Sequence, residues 1–168
     1  MSGWAIFKLK ERKTEMTSPS SNSWRIALVV SRFNETVTGG LKKGALAYLA
    51  EKGIKVDDRD IYPAPGAFEI PLLAQSLAES GKFDGVICLG CVIKGDTAHF
   101  EFISLGATFG LMQATLLTRV PLAFGIITTY TEGQAEERSK DNAHNKGREA
   151  AAACVETLET LHQIKNRN

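Results

Sequence analysis

Cysteine is scarce in this chain, and the scarcity already narrows what the chain can be. Three cysteines in 168 residues, an odd number, do not make the paired framework that staples small secreted folds. The polar N-terminus lacks the apolar centre of a secretory signal, so a reducing cytosol is the expected compartment. Charge excess is missing too: the formal net charge is +1, and no stretch gathers lysine and arginine into the basic stripe that nucleic acid requires. The longest unbroken apolar runs, such as Val86 to Ile93, fall well short of the roughly 20 residues that span a bilayer, so no membrane segment is expected. Neither a phosphate-cradling Walker loop nor a Gly-x-Gly-x-x-Gly fingerprint occurs, which argues against nucleotide hydrolysis and dinucleotide binding. No pair of histidines, cysteines or carboxylates stands at helical spacing beside a third ligand, so no metal is expected. Internal repeats are likewise missing.

What remains is an ordinary globular composition, 43% hydrophobic and 23% charged, sufficient for one domain with a sizeable core. The segment Thr14 to Ser23 is small and polar, so residues 1–23 read as a flexible N-terminal extension and 24–168 as a single domain. Within that domain short apolar runs alternate with segments of helical period, the pattern of a parallel sheet covered on both faces. Ile26 to Val30, Val86 to Ile93 and Leu122 to Ile127 read as strands buried on both sides, and the more polar Val56 to Ile61 as an edge strand. Between them, Val37, Leu41, Ala45, Tyr48 and Leu49 mark a first helix closed by Gly53. Pro71 opens a second that stops at Gly81, and a third runs from about His99 to Leu117 with Ile103, Ala107, Leu111 and Ala114 on one face. The last carries Ala151, Cys154, Val155, Leu158 and Leu161 on its apolar side.

Ligands of open α/β sheets bind outside the carboxyl ends of the strands. Those ends read Ser-Arg-Phe-Asn (31–34), Pro-Ala-Pro-Gly-Ala-Phe-Glu (63–69), Lys-Gly-Asp-Thr-Ala-His (94–99) and Thr-Thr-Tyr (128–130). Gly95, Asp96 and Thr97 open a helix whose first N–H groups attract an anion, although Asp and Thr are equally ordinary N-caps. His99, one turn on, either passes protons near neutral pH to a substrate held at the helix start or, the commoner case, is simply a surface or half-buried helix histidine. Glu69 either accepts hydrogen bonds from a polar ring or simply favours a helix start, Phe33 either stacks on a heterocycle or joins the core, and Arg138 either clamps a phosphate or is solvated. Cys88 and Cys91 have the spacing of a redox pair, but both fall inside a strand and point to opposite faces, so buried small hydrophobes are the better reading.

Taken in order, Arg-Phe-Asn (32–34), Pro-Gly-Ala-Phe-Glu-Ile-Pro (65–71), Gly-Cys-Val-Ile-Lys-Gly-Asp-Thr-Ala-His-Phe (90–100), Phe-Gly-Ile-Ile-Thr-Thr (124–129), Gln-Ala-Glu-Glu-Arg (134–138) and Asn-Lys-Gly (145–147) resemble the lumazine synthase family. The resemblance runs from about Trp24 to Ile164. It implies an α/β, flavodoxin-like three-layer sandwich with a central four-stranded parallel sheet, assembled at least into homopentamers with active sites shared between neighbours. It also implies a transferase of riboflavin biosynthesis in the cytoplasm that joins 5-amino-6-(D-ribitylamino)uracil to 3,4-dihydroxy-2-butanone 4-phosphate, with no cofactor and with riboflavin synthase as a further partner.

By position the resemblance assigns Phe33, Ala67, Phe68, Glu69, Cys91, Val92, Ile93 and Phe124 to the ribitylaminouracil. Asp96, Thr97 and Arg138 fall to the keto phosphate, and His99 to proton transfer. Phe124 and Arg138 would come from the adjacent subunit. Two departures stand out. The family's Gly-rich, lysine-bearing turn is replaced by Ser-Lys-Asp-Asn-Ala-His (139–144), which leaves pentamer, decamer and 60-subunit shell open; and the N-terminus is long, with Ile6 to Lys10 a candidate for pairing with a neighbour's sheet. Two rival readings are a non-catalytic flavin or lumazine binder and a flavodoxin-type redox module hooked on Cys88 and Cys91; a third is a container or scaffold.

Overall fold

The first strand begins where the polar extension ends. In a computed structural model describing residues 23–167, the chain alternates β1 (Ile26–Ser31), α1 (Glu35–Glu51), β2 (Ile61–Ala64), α2 (Ile70–Glu79), β3 (Gly85–Ile93), α3 (His99–Thr118), β4 (Leu122–Thr129), α4 (Glu132–Ser139) and α5 (Lys146–Asn166). The extension before Ser23, including Ile6 to Lys10, lies outside the described residues. All four strands are parallel, in the order β2-β1-β3-β4. Helices α1, α4 and α5 cover one face and α2 and α3 the other, which makes the flavodoxin-like sandwich.

The two inner strands owe their place to composition. Every residue of β3 from Gly85 to Cys91 is buried, because a parallel sheet with helices on both faces has no wet side. Side chains alternate faces, so Cys88 packs with Ala74 and Leu111 beneath α2 and α3, whereas Cys91 packs with Leu41 beneath α1. On α1 the buried apolar side chains are Val37, Leu41, Ala45 and Leu49, and the helix ends where Gly53 adopts φ 74 and donates to the Ala50 carbonyl at 2.9 Å. A left-handed residue at this position is commonly glycine, since it has no Cβ to crowd the following carbonyl oxygen.

The edge strand departs from expectation. Val56 to Ile61 is not a strand: Asp57 accepts from the Arg59 N–H at 3.1 Å and starts a short 3₁₀ turn, Asp58–Asp60, before β2 begins at Ile61. That turn delivers the buried Asp60 carboxylate to Arg25, which meets it with two hydrogen bonds of 3.0 and 2.8 Å. A local carboxylate cap outcompetes strand propensity here. Pro63 inside β2 is tolerated because β2 is the sheet's outer strand.

Helix α3 carries a second departure. Ala107, Leu111 and Ala114 are buried against the sheet, as the helical period predicts. The opposite face is also apolar: Phe102, Leu105, Phe109, Met112 and Leu116 are 54–71% exposed and recur at alternating spacings of three and four. By length and composition this helix is apolar enough to cross a bilayer, although polar residues interrupt its apolar run. It packs along the sheet by its alanine and leucine face, and the described residues of its own chain leave the outward stripe exposed. Contiguous exposed apolar stripes of this kind mark surfaces that meet a protein, a membrane or a ligand.

Candidate active site

Strand order reverses at β1, whose chain leaves first toward β2 and then crosses to β3, and the crevice outside the carboxyl ends of β1 and β3 is where such sheets bind ligands. A cleft of about 460 Å³ lies there. Phe33 and Asn34 enter it from the end of β1; Gly66, Ala67, Phe68 and Glu69 from the turn after β2; Cys91, Val92 and Ile93 from β3. The start of α3 closes it with Gly95, Thr97, His99, Phe100 and Ile103.

Local geometry explains how these side chains are held. Asn34 sits in the left-handed region at φ 58 and donates from Nδ2 to the Cys91 carbonyl at 3.0 Å, tying the end of β1 to β3. The turn brings Phe33 out of the sheet, leaving its ring 69% exposed at the cleft. Phe68 lies across α3 only because residue 106 is glycine: a Cβ there would fall 2.7 Å from its ring. One turn further on, Gly110 makes the same allowance for Pro71. His99 is the first residue of α3, exposed beside the cleft, with the Thr97 hydroxyl accepting from its N–H at 3.4 Å. Lys94, at the rim, is answered by Glu101 at 3.4 Å and by the Tyr130 ring at 5.6 Å.

Of the residues singled out from sequence, the cleft therefore gathers Phe33, Ala67, Phe68, Glu69, Cys91, Val92, Ile93, Thr97 and His99. Asp96, Phe124 and Arg138 do not line it. Phe124 is 47% exposed on β4, the opposite outer strand, and Arg138 lies exposed on α4, its Nη1 donating to the Gln134 carbonyl at 3.0 Å. Asn34, Phe100, Ile103, Gly106 and Gly110 were missed. The Gly-x-x-x-Gly spacing of the last two was a readable signal of close helix approach.

A profile of the 6,7-dimethyl-8-ribityllumazine synthase family matches residues 23–162. The chain belongs to this family. It is 62% identical over 141 residues, 84% of its length and 92% of the relative's, to 6,7-dimethyl-8-ribityllumazine synthase 1 of Caulobacter vibrioides. It is 51% identical over 141 residues, 84% and 90% of the two chains, to the enzyme of that name from Salinibacter ruber, and 44% identical over 140 residues, 83% and 90%, to that of Deinococcus deserti. The family is one of enzymes, so a redox module built on the two strand cysteines is not what this fold carries.

The thiols behave accordingly. Cys88, Cys91 and Cys154 are free and buried, and burial pushes Cys91 up to about 11 and Cys154 up to about 12; Cys88 is raised as well, by burial and then by Cys154. Above the ordinary thiol value of 9.0 the unfolded chain releases protons that the folded chain keeps, so stability falls as pH rises. The expected loss is about 1.4 kcal/mol per pH unit for each thiol. Urea midpoints that do not fall between pH 9 and 10, or rapid labelling of the native thiols at pH 8, would contradict this burial.

Proposed function

We propose that the chain condenses 5-amino-6-(D-ribitylamino)uracil with 3,4-dihydroxy-2-butanone 4-phosphate to give 6,7-dimethyl-8-ribityllumazine, inorganic phosphate and water. The observation that carries this reading is the single cleft at the strand-order reversal, which joins an exposed aromatic ring, two loop backbones and the histidine-bearing start of α3. Phe33 is suited to stacking on the uracil, with Ala67 to Glu69 and Cys91 to Ile93 offering backbone groups to the ring edges and the ribityl chain. Thr97 and the first N–H groups of α3 suit the keto phosphate, since helix starts attract anions.

The amine of the uracil would attack the ketone and lose one water to form a Schiff base, phosphate would then leave by elimination, and attack of the ribityl-bearing amine on the remaining carbonyl would close the ring with loss of a second water. His99 is the group at the cleft best placed to carry protons among these steps. Most of the acceleration would come from holding two substrates in register, which replaces a bimolecular encounter.

The same reading makes the active unit an assembly. Phe124 and Arg138, assigned to the two substrates, are away from their own chain's cleft, so each would serve a neighbour's. The outward stripe of α3, alternating by three and four, has the spacing of a helix that packs against copies of itself. A homopentamer is the assembly we propose, and the cytoplasm its compartment, in keeping with three unpaired thiols.

The test is direct. Purified protein mixed with both substrates, with no metal or cofactor added, is expected to generate the absorbance and fluorescence of the lumazine. A rate no greater than the uncatalysed background, from assembled protein, would replace the enzyme with a non-catalytic lumazine or flavin binder.

A further inference from the structure

The Asn-Lys-Gly segment is the one family-like motif to which no substrate contact is assigned. Asn145, at its head, is 1% exposed and caps α5: its Oδ1 accepts from the N–H groups of Gly147 and Arg148 at 2.9 and 3.1 Å. Capping explains only half of the side chain. Its Nδ2 donates to three carbonyls, those of Ser139 and Lys140 at 2.9 Å each and that of Gly40 at 3.1 Å. Two of these acceptors are the residues directly after Arg138, and the third belongs to α1.

The surroundings are built to admit that amide. A Cβ on Gly40 would stand 2.4 Å from the Ser139 carbonyl oxygen, one on Gly44 2.1 Å from Asn145 Oδ1, and one on Gly147 1.9 Å from the Leu41 carbonyl oxygen. Glycines on both sides thus let α1, the end of α4 and the start of α5 meet closely around one buried side chain. The other end of α4 is held independently, by the Thr131 hydroxyl accepting from the Gln134 N–H at 3.2 Å and by Gln134 Oε1 accepting from the Tyr130 N–H at 2.9 Å. An eight-residue helix fixed at both ends has little freedom to shift, and Arg138 occupies its last turn.

We propose that Asn145 is the positioning residue for Arg138: by gripping the carbonyls that follow it, Asn145 fixes where the guanidinium meets the phosphate of the keto substrate. The inference rests on the reading of Arg138 as a phosphate ligand. A guanidinium recognises phosphate through fixed, paired N–H bonds, so an anchored backbone matters more than it would for a point charge.

Asn145→Asp separates the two halves of the side chain. It keeps an acceptor for the α5 N–H groups, where a negative charge is favourable, and removes the donor to the three carbonyls. The expected result is a KM for the keto phosphate raised about tenfold, as misplacement of a binding group implies, with the KM for ribitylaminouracil unchanged. Asn145→Ser, which caps with a hydroxyl and brings no charge against the carbonyls, is expected to do the same and serves if the aspartate variant does not fold. In an Arg138→Ala background neither change should raise that KM further, because the residue being positioned is gone. An equal effect in both backgrounds, or an equal rise in both KM values, would reduce Asn145 to a structural cap and overturn the proposal. If Arg138→Ala alone leaves the keto phosphate KM unchanged, the phosphate reading fails first, and the positioning role falls with it.

Discussion

Phe109→Asp is expected to give a folded subunit without measurable synthase activity. In the isolated chain Phe109 is 70% exposed, at the middle of the apolar stripe on α3, so the substitution removes almost nothing from the subunit's own core. Its circular dichroism should match that of the unaltered protein. In an assembly of subunits related by rotation, the same position would recur in every copy, and each copy would bring an unpaired carboxylate into an apolar contact. Burying such a charge costs several kcal/mol, about what a stable interface can lose before it comes apart. The expected product is a monomer by analytical ultracentrifugation, and its cleft would lack a neighbour's Phe124 and Arg138. A monomer that keeps full activity would show that the site is complete within one chain. An assembly unchanged in size would show that the stripe is covered by something other than α3.

His99→Ala is expected to lower kcat by roughly 100-fold while leaving both KM values close to their original ones, since loss of a general acid–base group typically removes that much or more. The residue starts α3 and is exposed at the cleft, and its removal disturbs no hydrogen bond of its side chain among those seen in the described residues. Stability should therefore be unaffected. Turnover that does not vanish is part of the expectation, because positioning of the two substrates survives the substitution. Added imidazole should restore part of the rate. A variant as fast as the original would remove His99 from the proton transfers, and the bound phosphate itself would be the next candidate carrier.

Most of the architecture was legible in the linear sequence because it rests on local signals. Gly53 and Gly81 end α1 and α2 with positive φ, Pro71 opens α2, and the unbroken apolar run of β3 could only be a strand covered on both faces. The strand-end segments carrying Phe33, Glu69 and His99 were legible for the same reason: a parallel sheet places its strand ends at one edge, so sequence order alone predicts that they converge. The edge strand was misplaced because its competitor is short and chemical. Asp57 turns the backbone by capping it, and the reward, Asp60 paired with Arg25, lies 35 residues away in the chain.

What only the tertiary structure decided are the distant contacts. That Gly106 and Gly110 are gaps for Phe68 and Pro71, that Gly40, Gly44 and Gly147 surround a single buried amide, and that one apolar face of α3 is left uncovered by the described residues are facts of packing. Periodicity marks which residues are apolar, and the chain by itself determined that α3 would be a helix with one face on the sheet. It could not tell that the second apolar face would stay exposed, since a helical period counts hydrophobic positions without knowing how many surfaces are available to receive them. Likewise an Asn before a helix reads as a cap from sequence alone. Whether its second polar group reaches across to the end of α4 depends on how closely three helices approach, and that distance is set by the fold.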